Sequence, residues 1–274
     1  MTLLYGTDNS DYQPAHFPLT DGHTRSSNFA FIKATQGTTY VNPKLVAQVA
    51  WARSNGLVVG LYHFLEKGNV PAQIAHFRSA ADAVGVYVPG DVIAIDWESY
   101  KVSGKTVNVS NADKDNAVKT AQTKFPRSKV VLYCNKDYWT NHDNTEVVGD
   151  GLWIAAPGDP DGSPGIQHGW VFQQTGVLNN QDQDVAQFET HAKLVAWSTE
   201  RVPAVTAPTA FHDVVQYDGI KVPAGVTDDP DGNWTLEHYI RNTYDLANKA
   251  LQTAEAAVAA IAELKAIIEA AVAK

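Results

Sequence analysis

Over the first 200 residues of the 274-residue chain, short apolar runs alternate with longer stretches whose apolar positions recur at helical spacing. The runs predict strands over 3–7, 29–34, 58–64, 92–97, 129–134, 152–156 and 170–174, with a short one near Asp184. The stretches between them predict helices over 43–54, 71–84 and 111–124. Pro43 and Pro71 suit first-turn positions, which need no N–H, and Asn55-Gly56 suits a helix stop. Strands alternating with helices imply an α/β fold with a parallel sheet, and about eight strands favour closure into a (β/α) barrel. After Tyr138 the helical pattern fades, and Asn, Asp, Gly and Pro dominate through Gln183. The late strands are therefore expected to be joined by loops or hairpins, which makes the barrel irregular.

The barrel pattern covers 1–200 and gives way to RVPAVTAPTA (201–210), which has two prolines, small residues and no acid and reads as a linker. A C-terminal region follows over 211–274. Its turn-rich Asp228-Asp229-Pro230-Asp231-Gly232 lacks the length and terminal glutamate of a calcium loop and reads as a surface turn. Among the last 30 residues 12 are alanine, and Leu251, Ala254, Val258, Ile261, Leu264, Ile268 and Val272 recur at steps of three and four. That pattern predicts an amphipathic helix from about 235 to 274, too weakly anchored to be stable without a partner for its apolar stripe. Self-association into a homo-oligomer is the first candidate, and packing on the barrel the second. Glu255, Glu263, Lys265 and Glu269 interrupt the stretch, so it is not read as inserting into a membrane.

Charge narrows the partners. With 21 basic and 30 acidic residues the formal net charge is -9 and no Lys/Arg cluster stands out, so nucleic acid is not expected. The single cysteine, Cys134, lies in an apolar run, where a small buried residue is the default reading. The amino terminus lacks a basic segment followed by a long apolar core, so no secretory signal is expected.

The chemistry centres on Asp96-Trp97-Glu98, which follows the apolar run Val92-Ile93-Ala94-Ile95. Residues i and i+2 of a strand point to one side, so both carboxylates are expected to project from the strand's end, where α/β folds build active sites. Like charges that close push their pKa values apart, which equips the pair for acid-catalysed cleavage of a glycosidic bond. Asp8 and Asp184 also fall at predicted carboxyl ends of strands, and Asp182 lies two residues before Asp184. Tyr62, Tyr133, Trp97, Trp153 and Trp170 accompany them, and acids with aromatics on one rim point to a carbohydrate. Each has a plainer reading: Asp8 as a turn cap, Trp153 and Trp170 as core, His63 as a hydrogen-bonded structural residue. No second histidine stands at metal-ligand spacing, and no metal or cofactor is expected. Lys33, costly if buried unpaired, is expected to pair with a mouth carboxylate.

The motifs YGTDNSDYQ (5–13), FAFIKATQG (29–37), GLYHF (60–64), IAIDWE (93–98), VLYCN (131–135), LWIAAPG (152–158), WVFQQTG (170–176) and DVAQF (184–188) occur in that order. Together they resemble the successive strand motifs of the glycoside hydrolase family 25 lysozymes, the Chalaropsis-type muramidases common among bacteriophage endolysins. The resemblance runs from about 1 to 200. It implies an irregular β/α barrel that cleaves the β-1,4 bond between N-acetylmuramic acid and N-acetylglucosamine in bacterial peptidoglycan. By motif position, it implies Glu98 as general acid and Asp96 as its helper, with Asp8 and Asp184 as the other two cleft carboxylates. Tyr62 and Tyr133 match cleft-lining positions, and Lys33, Trp153, Gln174 and Asp182 join them as candidate substrate-binding residues. An endolysin would wait in the host cytoplasm until released to the wall, with the C-terminal region targeting the wall or driving self-association.

Four positions depart from the family's pattern. Gln36 stands where the family usually has Glu, Tyr12 where Trp is common, Cys134 in place of a small hydroxyl residue, and Gln173 in place of a tryptophan. A non-catalytic wall-binding or virion structural protein on the same barrel is the alternative. A chitinase-like hydrolase would need an acid at Ala94.

Overall fold

The computed structural model describes residues 2–20, 25–84 and 90–201. Of the expected linker only Arg201 is among the described residues, and the acidic turn and alanine-rich helix lie outside them. In chain order the elements are β1 (Leu4–Asn9), β2 (Phe29–Gln36), the short β3 (Tyr40–Val41), α1 (Leu45–Ser54), β4 (Val58–Phe64) and α2 (Val70–Ala83). Next come β5 (Val92–Asp96), a hairpin of β6 (Tyr100–Val102) and β7 (Lys105–Val107), α3 (Asn111–Lys124), β8 (Lys129–Asn135) and a single π-helical turn at Tyr138–His142. The chain continues through β9 (Gly151–Ala155), β10 (Phe172–Leu178), β11 (Gln181–Ala186) and α4 (His191–Thr199).

Eight strands close into a barrel in the order β1-β11-β10-β9-β8-β5-β4-β2, with β2 pairing back onto β1 and β3 extending the sheet beside β2. Every pairing in the ring is parallel except the two made by β11, which runs antiparallel to both β10 and β1. A tight turn at Asn179-Asn180, both with positive φ, joins β10 to β11. The expected hairpin among the late strands is there. It also corrects one expectation: the mouth-facing end of β11 is its amino end, so Asp184 lies within the strand and not at its carboxyl end.

Two-residue alternation divides the strands between two cores. Phe29, Phe31, Val58, Val92, Ala94, Val131 and Phe172 fill the barrel interior. Their neighbours Ala30, Ile32, Val59, Ile93, Ile95, Val130 and Leu132 face outward, beneath apolar residues of α1, α2 and α3 such as Val49, Phe77 and Val118. Gly60 is required by this packing, because a Cβ there would sit 2.1 Å from the Phe31 ring. α2 carries Pro71 in its first turn, α1 stops at Asn55 with Gly56 at φ 70, and Ser110 caps α3 by accepting from the Asp113 N–H. Pro43 lies one residue before the Lys44 cap of α1, outside the first turn expected for it. The short α4, which the sequence pattern does not reveal, sets Leu194 in the interior core and Trp197 edge-on to Phe172 at 5.8 Å, plugging the barrel end opposite the mouth.

Candidate active site

The mouth holds a cleft of about 220 Å³ lined by Asp8, Tyr62, Asp96, Glu98, Tyr133, Trp153, Gln174 and Asp182. Eight of the ten candidate site residues named from sequence thus converge there, from seven of the eight barrel strands and the turn after β5. Glu98 is half-buried, whereas Asp96 is 5% exposed, so the two carboxyls of one strand end occupy different environments.

Trp153 forms the aromatic floor. Its ring stacks on Phe31 at 4.1 Å, and Tyr133 meets it edge-on at 4.5 Å and Tyr62 at 6.2 Å. Its Nε1 donates to Asp184 Oδ1 at 2.8 Å. Gln174 Nε2 donates to Asp8 Oδ2 at 2.6 Å and its Oε1 accepts from the Tyr133 hydroxyl at 3.1 Å, tying β1, β10 and β8 together across the mouth.

Burial dominates the electrostatics. It is the largest cause raising every carboxyl of the mouth: Asp8 to about 8, Asp96 and Asp184 well above the usual range, Glu98 and Asp182 by less. Repulsion adds to it, from Glu98 and Asp8 on Asp96 and from Asp182 and Glu98 on Asp8. The positive charge of Lys33 opposes the rise at Asp96 and Glu98. Burial likewise raises the hydroxyls of Tyr62 and Tyr133, so both stay neutral donors.

Two residues stand apart from the cleft lining. Lys33 makes no ion pair within 4 Å among the described residues. Its Nζ donates to Gln36 Oε1 at 2.9 Å and sits 4.8 Å above the Phe64 ring, so the expected direct pairing is replaced by a through-space effect. Asp184 is fully buried beneath the cleft, because β11 enters the barrel from the mouth and carries Asp184 two residues deeper than Asp182. Thr35 and Gln73 flank the buried His63 ring, whose pKa burial lowers to about 3, so it is a structural group. Cys134 is buried and burial pushes its thiol up, which suits the packing role expected of it.

One supporting residue escapes the sequence reading. Lys114 is fully buried behind Asp96-Trp97-Glu98, paired with Asp143 and donating to Thr145 Oγ1 at 2.8 Å, and its Nζ lies 5.1 Å from the Trp97 ring centre. The signal for it is positional: Lys114 shares the buried face of α3 with Ala117, Val118 and Ala121.

Comparison with known proteins bears on this constellation. The family model described as Glycosyl hydrolases family 25 matches residues 8–180. An N,O-diacetylmuramidase from Chalaropsis sp. is 28% identical over 189 residues, which span 62% of this chain and 85% of the relative. Among solved structures, a muramidase from Acremonium alcalophilum superposes with a TM-score of 0.56 at 24% identity, covering 72% of this chain and 99% of that one. The catalytic domain of endolysin ply40 from bacteriophage P40 of Listeria monocytogenes gives 0.56 at 21%, covering 71% and 98%.

Proposed function

The chain belongs to glycosyl hydrolases family 25, and from that premise we propose that it is a muramidase cleaving the β-1,4 bond between N-acetylmuramic acid and N-acetylglucosamine in peptidoglycan, and that it acts as a phage endolysin. The observation that carries this reading is the Asp96/Glu98 pair, two carboxyls from one strand end in one cleft but in unequal environments.

Glu98 is the proton donor. It is half-open to the cleft and its pKa is raised by burial, so it keeps a proton toward neutral pH and delivers it to the leaving glycosidic oxygen. Asp96 lies deeper, and its Oδ1 is buried without a donor among the described residues. The Asp96 carboxyl lines the cleft, where it would accept from an acetamido N–H of the substrate and orient the amide or offset the positive charge of an oxocarbenium-like transition state. Tyr62, Tyr133 and the Trp153 floor offer apolar faces and hydroxyls to the sugar rings, and Asp8 and Asp182 accept from their hydroxyls.

Two features favour a lytic role. Cys134 is the only cysteine, so the barrel folds without disulfides, and a further C-terminal region is available for wall targeting. The test is turbidity loss of a purified Gram-positive wall suspension with wild type and Glu98→Gln, followed by borohydride reduction of the products. Muramitol at the new ends is expected. Glucosaminitol would overturn the bond assignment, and binding without clearing by both proteins would favour the non-catalytic alternative. For the lytic role, cells expressing the protein should lyse only once their inner membrane is permeabilised. Lysis without permeabilisation, or none with it, would overturn that role.

A further inference from the structure

The four carboxylates implied by the family resemblance are not equivalent, and we propose that Asp184 is a neutral carboxylic acid that donates its proton to Asp8, acting as a positioning residue and not as a fourth charge in the cleft. This rests on the muramidase reading of the mouth.

Asp184 is fully buried, is absent from the cleft wall and cannot touch a sugar placed there. Its Oδ1 accepts from Trp153 Nε1 at 2.8 Å. Its Oδ2 is buried with no donor among the described residues. Asp182 stands opposite Asp8 and Asp184 opposite Gly6 on the β1/β11 ladder, and Asp184 is also opposite Gln174, which bonds Asp8, so the Asp184 and Asp8 carboxyls project to one side as diagonal neighbours and interact. Were both ionised, two acceptors would face each other in a dry site, at the cost of a desolvated and unsatisfied charge. One proton on Oδ2 turns that repulsion into a hydrogen bond and satisfies the last buried atom of Asp184.

No other group among the described residues satisfies Asp184 Oδ2. The titratable groups acting on the pair are Asp182, Glu98, Asp96, Tyr62 and Tyr133, and among the described residues none of the mouth carboxyls has an ion-pair partner within 4 Å. Asp8 then receives donors from two directions, the Gln174 amide and the Asp184 acid, and is held at the cleft surface by groups on β10 and β11. The trans-barrel frame of Trp153, Asp184, Asp8, Gln174 and Tyr133 is thus closed by a proton.

The isostere of a protonated aspartate is asparagine, whose Oδ1 can accept from Trp153 while its Nδ2 donates to Asp8. Asp184→Leu removes the donor, and the displaced Asp8 is expected to cost about a hundredfold in kcat/KM on reduced-viscosity glycan substrate. Asp184→Asn is expected to recover most of that, to within about tenfold of wild type. If Asn is as damaging as Leu in folded protein, Asp184 works as an anion and the proposal fails. A second measurement does not depend on activity or on the Leu variant folding. The infrared difference spectrum of full-length wild type minus Asp184→Asn at pH 7 should contain the C=O stretch of a neutral carboxylic acid, and Asp8→Asn should shift it. A difference containing only carboxylate bands would overturn the assignment. Inactive wild type with the acid band present would count against the muramidase reading alone.

Discussion

The two ends of the barrel treat charge in opposite ways. At the plugged end, Asp91 stands before β5 with Arg53 bound to it, and the buried Lys129 is paired with Glu200. Arg201 reaches Asp150 in the same manner. At the mouth, four carboxyls line the cleft and a fifth, Asp184, lies beneath it, with Lys33 acting on Asp96 and Glu98 from a distance. Burial raises Asp91 too, to about 7, but there the Arg53 guanidinium pulls against it. The lesson is that burial alone does not mark a site. What marks the mouth is burial of several like groups with no ion-pair partner among the described residues, a cost to stability that a merely structural barrel would avoid.

The sharpest way to break the comparison is to remove the proton donor from the mouth. Glu98→Gln keeps size and polarity, so wall clearing should fall by about a thousandfold with thermal stability unchanged or slightly raised, because general acid catalysis contributes about 10²–10⁴. A loss below about tenfold would reassign the acid.

At the plugged end the prediction inverts. Arg53→Ala leaves Asp91 buried and unpaired, which should destabilise the barrel by about 3 kcal/mol in denaturant titration while the folded enzyme keeps its kcat. A variant that loses activity without losing stability would show that the two ends are coupled.

The third test joins stability to pH. A carboxyl whose folded pKa lies above its unfolded value binds more protons folded than unfolded, so its ionisation destabilises the fold as pH rises. Asp8, raised to about 8 from an ordinary value near 3.8, therefore destabilises increasingly between about pH 4 and pH 8. Asp8→Asn removes that charge and should raise stability at pH 8 by about 2 kcal/mol, with little gain near pH 4. Activity should fall in the same protein. A uniform gain at both pH values would mean that the effect is packing and not charge.

The barrel was legible in the sequence wherever the local pattern was also the tertiary one. β4 occupies 58–64 and α3 occupies 111–124, as expected from the runs, and Asp96 and Glu98 lie on one side of the chain because period-two alternation is a property of the strand itself. The direction of β11 was not legible. Hairpin or crossover depends on a turn and a register, and a six-residue polar strand carries little apolar signal for either. That one ambiguity placed Asp184 at a rim and hid its depth. Lys33 failed similarly. Its need for a partner could be foreseen, but Gln36 and the Phe64 ring meet that need only after β2 and β4 pair. α4 is short, and its role as a plug depends on an interior core built from the eight barrel strands.

The smallest effect tests how much the cross-mouth frame contributes beyond its proton. Tyr133→Phe removes only the hydroxyl that donates to Gln174 Oε1, leaving the ring against Trp153 and the sugar face intact. Gln174 then keeps its bond to Asp8 but has one fewer restraint on its amide, a loss of about 1 kcal/mol. If that restraint serves Asp8 placement, it should appear in kcat, by about fivefold, with KM nearly unchanged. If the hydroxyl instead binds substrate directly, KM should rise and kcat should hold. Double-mutant analysis with Asp184→Asn separates the two further. Residues acting through one frame should lose less together than the sum of their separate losses, whereas independent contacts should add.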